Sequence, residues 1–586
     1  MPKRSAIYYI RPNKTDKLPT NILILDTETK GETVEDAAIH TMYMAWTWRF
    51  TLGPKGEIQR EKWTFWDDGQ LLGEYVDQEA RPKAPLYIIG SNITFDLFAS
   101  GLASFLHGTT WRAEMLYDKG MVTIIVLKDG DRTIKFLALQ NFLDGGVAEW
   151  GKLLGLQKQE VDFDKDTFTT IKEYCRIDTE ITGRAFIGYL DFVRKHDMGG
   201  FAVTKSGQSF RCFRHRFMKE KILHYDETKF NNFTRNGYYG GRVECGHIGT
   251  REGGTYVKVD VNSMYPAIMQ RQYFPTVLRQ WIKEPDHEYA LRQLRSYCCM
   301  GRVTLQTDEP VYPVRIPGKL VFPVGEFQTI LSTESLRYAF KHGHIKSVHE
   351  LLTFRRAKLF AAFVDEFYSL RLRYKKEKNA VWEKTVKLML NSLYGKFGEK
   401  RERELHRLPD PEGEFYRGEY SLWLNPDSEM VEHLPEEKRQ EAKSKGVFIN
   451  GMEWKAFGTS CVTWGEKEGP QSAPFIAAHV TDYGRMLLWK FIKMVGHKNV
   501  LYADTDSLII EAKHLPKLKG VINEAKLGSL KVEGTTDRLE IRGAKDYTFG
   551  KEIRRKGVRA NSVKEADGSF TMPYFPGLYS LQRRGI

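Results

Sequence analysis

Two segments far apart in the chain constrain its fold most: YVKVDVNSMYP (256–266) and NVLYADTDSLIIEA (499–512) each run an apolar strand into aspartate. A short apolar run of β-branched and aromatic residues reads as a buried strand, and an acid at its end is delivered to a surface. The second segment is two apolar arms around a tight acidic tip, Asp504-Thr505-Asp506. A sheet that joined the segments would set Asp260, Asp504 and Asp506 side by side as the floor of an active site. Taken alone, Asp-Thr-Asp is as readily an ordinary turn.

Between them, 353–400 reads as a long, charge-rich helical stretch, with 13 Lys or Arg against 5 Asp or Glu over 353–401. Within it Lys387, Asn391 and Tyr394 fall at i, i+4 and i+7, on one helix face. A cation, an amide and an aromatic ring so placed can grip a triphosphate and its base. Leu388, Met389, Leu390 and Leu393 give the same helix ordinary core duties.

A second acidic set lies near the N-terminus. NILILDTETK (21–30) is a strand that carries Asp26 and Glu28 on one face, two residues apart and able to share a divalent cation. The strand-like run Tyr87–Gly90 leads to Asn92 and Asp96, residues 121–139 read as a β-hairpin, and 168–190 have the spacing of an amphipathic helix. On that helix Tyr174 and Asp178 lie one turn apart. A lone Asp-x-Glu is most often an exposed strand end; its company gives it chemical meaning.

Composition narrows the partners. The 586 residues suggest roughly three to five domains, and a net charge of +14 with pI ≈ 9.1 suits a partner that carries phosphates. The six cysteines contain no Cys-x-x-Cys pair, which argues against a zinc ribbon or a disulfide framework and for a reducing compartment. No apolar run is long enough to span a bilayer, no secretory leader is evident, and neither a P-loop nor His-Glu-x-x-His occurs.

The order DTE, NITFD, YCRID resembles the three exonuclease motifs of proofreading DNA polymerases, and DVNSMYP, KLMLNSLYGKFG and YADTDSL resemble motifs A, B and C of family B DNA polymerases. The resemblance implies an α/β multidomain chain: an RNase H-like 3′–5′ exonuclease domain, then a right-hand palm, fingers and thumb with two insertions. It implies that Asp26, Glu28, Asp96 and Asp178 hold two ions with Tyr174 orienting water, and that Asp260 and Asp506 hold two more with Asp504 at the primer terminus. The ions would be Mg²⁺ or Mn²⁺, two per site, with no zinc. Lys375, Lys387, Asn391 and Tyr394 would contact the dNTP, and Tyr265 would stack beneath its sugar and refuse a 2′-hydroxyl. Asn92, Phe95 and Ser263 would touch DNA, as would Tyr238, Gly240 and Gly241 of a YxGG-like motif and Lys545 and Tyr547 of a KxY-like one.

Overall size, the wording of motif B and the single short fingers segment resemble the protein-primed branch of small phages and linear plasmids. That branch implies a terminal-protein primer, strand displacement, a monomer working in the host cytoplasm, and a catalytic exonuclease lysine to which Lys165 is the match. The expected division is 1–190 exonuclease, 191–270 palm, 271–352 the insertion that meets the terminal protein, 353–398 fingers, 399–472 the insertion for strand displacement, 473–558 palm, and 559–586 a reduced thumb or tail. The composition of LPDPEGEF and LPEEKRQEAKSKG makes 399–472 look like surface insertion or linker. A family B polymerase that extends ordinary primers or needs none is the alternative within enzymes; a catalytically silent DNA-binding scaffold and a nuclease alone are the others.

Overall fold

The computed structural model describes residues 7–571 apart from 35–36, 159, 226, 411–412, 425–430, 433–447, 559–561, 566 and 568. The N-terminal half is organised by a seven-stranded mixed sheet. Its central strand, Asn21–Val34, runs parallel to Leu86–Gly90, which runs parallel to Arg132–Ala138. The NILIL run is continuous because both faces of that strand are covered. Ile22 and Ile24 enter one core with Trp48, Ile181 and Phe186, while Leu23 and Leu25 enter another with Ile88 and Leu97.

The amphipathic helix extends to Phe168–Lys195, opened by Thr167, whose hydroxyl accepts from the Thr170 N–H. It lies close against the sheet at Gly183, where a Cβ would meet the Trp48 ring at 2.6 Å. That contact brings the Asp178 turn of the helix down onto the end of the central strand. The expected hairpin is present as Val122–Asp129 paired with Arg132–Ala138. Ile7–Tyr9, sequentially part of this half, instead pairs with Leu223–Tyr225, and Tyr8 donates to the Pro470 carbonyl at 2.6 Å.

The second half is built on a five-stranded antiparallel sheet, in the order Val243–Cys245, Val500–Asp504, Ser507–Glu511, Tyr256–Val261, Leu530–Thr536. Helix Pro474–Val495 is buried along most of its length and packs with Met264–Arg271 in the large core that also holds Val257, Val259 and Val261. Residues 274–357 form a four-stranded antiparallel sheet with helices His287–Ser296 and Thr333–Lys341.

The helical stretch expected at 353–400 is two helices, Ala361–Lys376 and Ala380–Phe397, because Ile345–Ala357 continues as a strand. The break between the helices falls where Lys378 turns left-handed, φ 56°, and the Asn379 side chain caps the second helix at the Trp382 N–H. The region expected to be linker-like carries a five-stranded sheet, including Lys400–Pro409, Tyr416–Leu424, Phe448–Ala456 and Thr459–Glu468. Of the two segments that suggested a linker, LPDPEGEF falls mostly in the connection between Lys400–Pro409 and Tyr416–Leu424. The segment 434–446 lies outside the described residues, as do most positions of 559–586. A four-stranded sheet that includes Leu539–Gly543 and Asp546–Phe549 flanks the five-stranded sheet. Among the described residues no helix is long and apolar enough to cross a membrane.

Candidate active sites

Three elements assemble the N-terminal carboxylates. Asp26 and Glu28 leave one face of the central strand, Asp96 sits on helix Ile93–Ala99 just after Leu86–Gly90, and Asp178 comes from the long helix. Asp96 is drawn in by the Thr27 N–H, which donates to its Oδ1 at 3.1 Å, and the absent side chain of Gly90 leaves room for its Oδ2. Asp96 and Asp178 are buried. Asp96 Oδ2 and Asp178 Oδ1 have no hydrogen-bond partner among the described residues.

The electrostatics follow from that crowding. Burial, then the Asp178 charge, pushes Asp26 up to about 7. Burial and the charges of Asp26 and Asp178 push Glu28 up to about 8. Asp96 is driven well above the carboxylate range by burial, then by Asp26. Unpartnered buried oxygens and mutually repelling carboxylates are what a hard divalent cation relieves, so the donor set fits Mg²⁺ or Mn²⁺. Cys175 approaches the same place, with ligand atoms of Asp26, Glu28 and Cys175 all within 4.8 Å of one another. Burial holds its thiol well above the usual range, so it stays protonated and donates towards Asp26 Oδ2 at 3.7 Å.

Among the described residues, the cation that faces the cluster is Lys158. Its Nζ pairs with Asp178 Oδ2 and lies 4.7 Å from the centre of the Tyr174 ring. The lysine singled out in the sequence, Lys165, is instead exposed and bound to Asp162 at 2.8 Å. Asp162 is three residues away and captures it in the local turn, so Lys165 does not reach the carboxylates. Asn92 caps helix Ile93–Ala99 without a side-chain bond and is exposed, and Phe95 meets His40 edge-on.

The second cluster forms where two strands of the central palm sheet end together. Asp260 stands opposite Ser507, the Val261 N–H donates to the Asp506 carbonyl at 2.8 Å, and the tip turns through Thr505 at φ 57°. Burial, then the charges of Asp260 and Asp504, pushes Asp506 up to about 7. Burial and Glu533 raise Asp260, opposed by Lys531. These oxygens also fit a divalent cation.

The flanking motifs converge on the tip. A Cβ on Gly241 would meet Thr505 Oγ1 at 2.7 Å, and the Thr505 N–H donates to the Arg242 carbonyl, so the glycine lets its strand lie against the acidic turn. Buried Arg485 donates to the carbonyls of Tyr239 and Gly240, both at 2.9 Å. Tyr238 lies against Gly398, at the end of the second fingers helix. Ser263 accepts from Arg371 at 2.7 Å. The Tyr265 and Tyr394 rings are 4.9 Å apart, which joins motif A to the second fingers helix.

Lys375 ends the first fingers helix and Lys387 is exposed on the second; neither has an ion-pair partner among the described residues. Asn391 is half-buried. Lys545 reaches to 3.9 Å from Asp504 Oδ1. Tyr547, expected to hold DNA, is buried against Tyr502, with ring centres 5.0 Å apart. Sequence reasoning missed Lys158, Lys531, Glu533 and Arg371. For Lys531 and Glu533 the signal was the alternation of LKVEGTT on a strand beside motif A.

Comparison with known proteins agrees with this architecture. Residues 152–420 match the family described as DNA polymerase type B, organellar and viral. A probable DNA polymerase of Neurospora intermedia is 24% identical over 419 residues, covering 69% of this chain and 40% of that protein. The DNA-directed DNA polymerase of Enterobacteria phage PRD1 is 26% identical over 393 residues, 65% of this chain and 63% of the relative. The chain thus spans 40% or less of the length of the fungal relatives it matches first. Phi29 DNA polymerase, solved with primer-template DNA and incoming nucleotide, superposes with a TM-score of 0.63 at 17% identity, covering 90% of this chain and 87% of that one. That likeness gives the chain the multidomain α/β fold of that polymerase. By its sequence match over residues 152–420 and its architecture, the chain is similar to the type B DNA polymerases of organelles and viruses.

Proposed function

We propose that this chain is a replicative DNA-directed DNA polymerase of the protein-primed kind, with a 3′–5′ proofreading exonuclease. The observation that carries the reading is the junction of motifs A and C: Asp260 and Asp506 are locked to each other by the Val261 N–H and the strand register, with Asp504 beside them. Divalent ions held there would make the primer 3′ oxygen a stronger nucleophile and neutralise charge on the triphosphate.

The chain's own residues do the rest. Lys375 and Lys387, exposed and without an ion-pair partner among the described residues, offer charge to the triphosphate, and Asn391 and Tyr394 lie on the same face as Lys387 to meet the base. The Tyr265 ring, braced by Tyr394, closes the floor beneath the sugar, where a 2′-hydroxyl would collide. In the other site Asp26, Glu28, Asp96 and Asp178 would hold the cations at the 3′ end, and Tyr174 with Lys158 would orient water for hydrolysis. Asn92 and Phe95 at the rim are placed to meet a frayed strand. Basic side chains grip phosphates rather than bases, so binding is salt-sensitive and nearly blind to sequence.

Protein priming rests on the kinship with phage enzymes and on the sheet-and-helix unit 274–357 inserted directly after motif A. Primer extension with dNTPs and Mg²⁺, beside a reaction without dNTPs, tests both activities. Templated extension with shortening on dNTP withdrawal is expected. Shortening without extension would leave a nuclease, and extension that no 271–352 partner stimulates would leave an ordinary primer-extending enzyme.

A further inference from the structure

The polymerase carboxylates are not free of cations even before any ion is bound. Lys531, on Leu530–Thr536, stands opposite Asp260 in the strand register. Its Nζ lies 3.3 Å from Asp260 Oδ1 and 3.0 Å from Glu533 Oε1, so one ammonium bridges two carboxylates. Glu533 is shared in turn with Lys258 at 3.3 Å, and Lys258 binds Glu552 at 3.0 Å. The result is a row of alternating charges along the sheet, ending on the motif A aspartate. Asp504 and Asp506 lie outside the row.

We infer that Lys531 is a positioning residue that occupies a cation's place between Asp260 and Glu533 and competes with divalent metal for Asp260, setting the metal concentration at which the polymerase site fills. The inference rests on the reading of Asp260 and Asp506 as metal ligands. An ammonium within about 3 Å of a carboxylate neutralises it as a ligand for a second cation, and a divalent ion must repel or displace it. Lys531 is about one-third exposed, 36% for its side chain, so Nζ has solvent to move into when displaced. The exonuclease site is arranged differently. There Lys158 takes one oxygen of Asp178 and is backed by Tyr174, while the other oxygen of Asp178 is left without a partner. Its lysine leaves a ligand atom open, whereas Lys531 sits between two carboxylates of its site.

The test is direct Mn²⁺ binding, followed by the electron paramagnetic resonance of free Mn²⁺, on the full chain carrying Asp26→Ala and Asp178→Ala to empty the exonuclease site. In that background Lys531→Met and Lys531→Gln are expected to tighten Mn²⁺ binding about fivefold, the size of removing one nearby, partly screened positive charge. Lys531→Arg keeps the charge and is expected to bind as the parent does. Half-saturating Mn²⁺ for primer extension should fall in parallel in the two neutral variants. Unchanged or weaker binding in both, with binding lost in Asp506→Ala, would overturn the role of Lys531 and leave the metal site standing. Binding that survives Asp506→Ala would instead sink the ligand reading, and the inference with it.

Discussion

The two carboxylate sites of this chain present the same oxygen chemistry in opposite settings. The cluster read as the exonuclease site draws four acids from three elements into a buried pocket, so desolvation dominates and Asp26 and Glu28 are pushed to about 7 and about 8. The cluster read as the polymerase site lies at a sheet end, half-buried, with Lys531 reaching in from a neighbouring strand and Lys545 from the turn between Leu539–Gly543 and Asp546–Phe549. A site that cuts one frayed nucleotide can be deep. A site that would admit a base-paired primer end and a triphosphate together has to be open; there Lys531 opposes the rise of Asp260, while Asp506 is still pushed up to about 7.

The largest effects should separate the two sites cleanly. Asp506→Ala is expected to lower primer extension by about 10³-fold or more, the loss of several kcal/mol of transition-state stabilisation, while single-strand shortening persists. Asp96→Ala should do the reverse. Extension and degradation rates on one labelled primer check both, and a variant that lost both activities equally would break the division into two independent sites.

Next in size is the exonuclease lysine. Lys158→Met removes the charge that pairs with Asp178 and the contact with Tyr174, and should cost the exonuclease on the order of 10²-fold while extension changes little. Single-turnover hydrolysis of a mismatched end is the measurement. Loss of extension in this variant would show that Lys158 supports the fold and not one site.

The pH dependence sharpens the contrast. Asp26 and Glu28 ordinarily titrate near 3.8 and 4.5, and folding raises them to about 7 and about 8. Between those limits the metal-free folded chain holds more protons than the unfolded chain, so its stability falls as pH rises from about 4 to about 8. Thermal melting without metal is expected to drop by roughly 5 °C or more from pH 5 to pH 8.5, and Mn²⁺ should restore more at the higher pH. Asp26→Asn should flatten that slope more than Asp506→Asn, because the exonuclease cluster holds more raised carboxylates. A steeper slope in Asp26→Asn than in the parent would contradict the assignment.

How far the sequence alone reached follows from what kind of contact sets each residue. Asp26 with Glu28, and Tyr174 with Asp178, were legible because strand and helix periodicity fix which face each takes. Asp260, Asp504 and Asp506 were legible because apolar arms announce strand ends. Lys531 and Glu533 were not, since only the register of Leu530–Thr536 against Tyr256–Val261 brings them to Asp260. The strands of 400–468 were overlooked because the polar segment LPDPEGEF, which reads as linker, is the connection between two of them, and only their pairing partners far along the chain reveal the sheet. Tyr547 was placed by its motif at the DNA, but the ring of Tyr502 offers it an apolar partner and buries it.

The smallest expected effect tests the choice between two lysines. Lys158 and Lys165 are seven positions apart in one loop-rich stretch before the long helix, and spacing cannot tell them apart. Asp162 decides between them: three residues before Lys165 it offers a local partner at 2.8 Å, and Lys165 is 82% exposed there. An exposed pair of this kind adds little to stability, so Lys165→Ala should change melting by about a degree or two at most and hydrolysis of a single-stranded end by less than about twofold. The same assay that reads a large loss for Lys158→Met should read almost nothing here. A hundredfold loss in Lys165→Ala would mean that the loop swings on binding DNA and exchanges one lysine for the other, so that the pairing of Lys158 with Asp178 belongs to the DNA-free state alone.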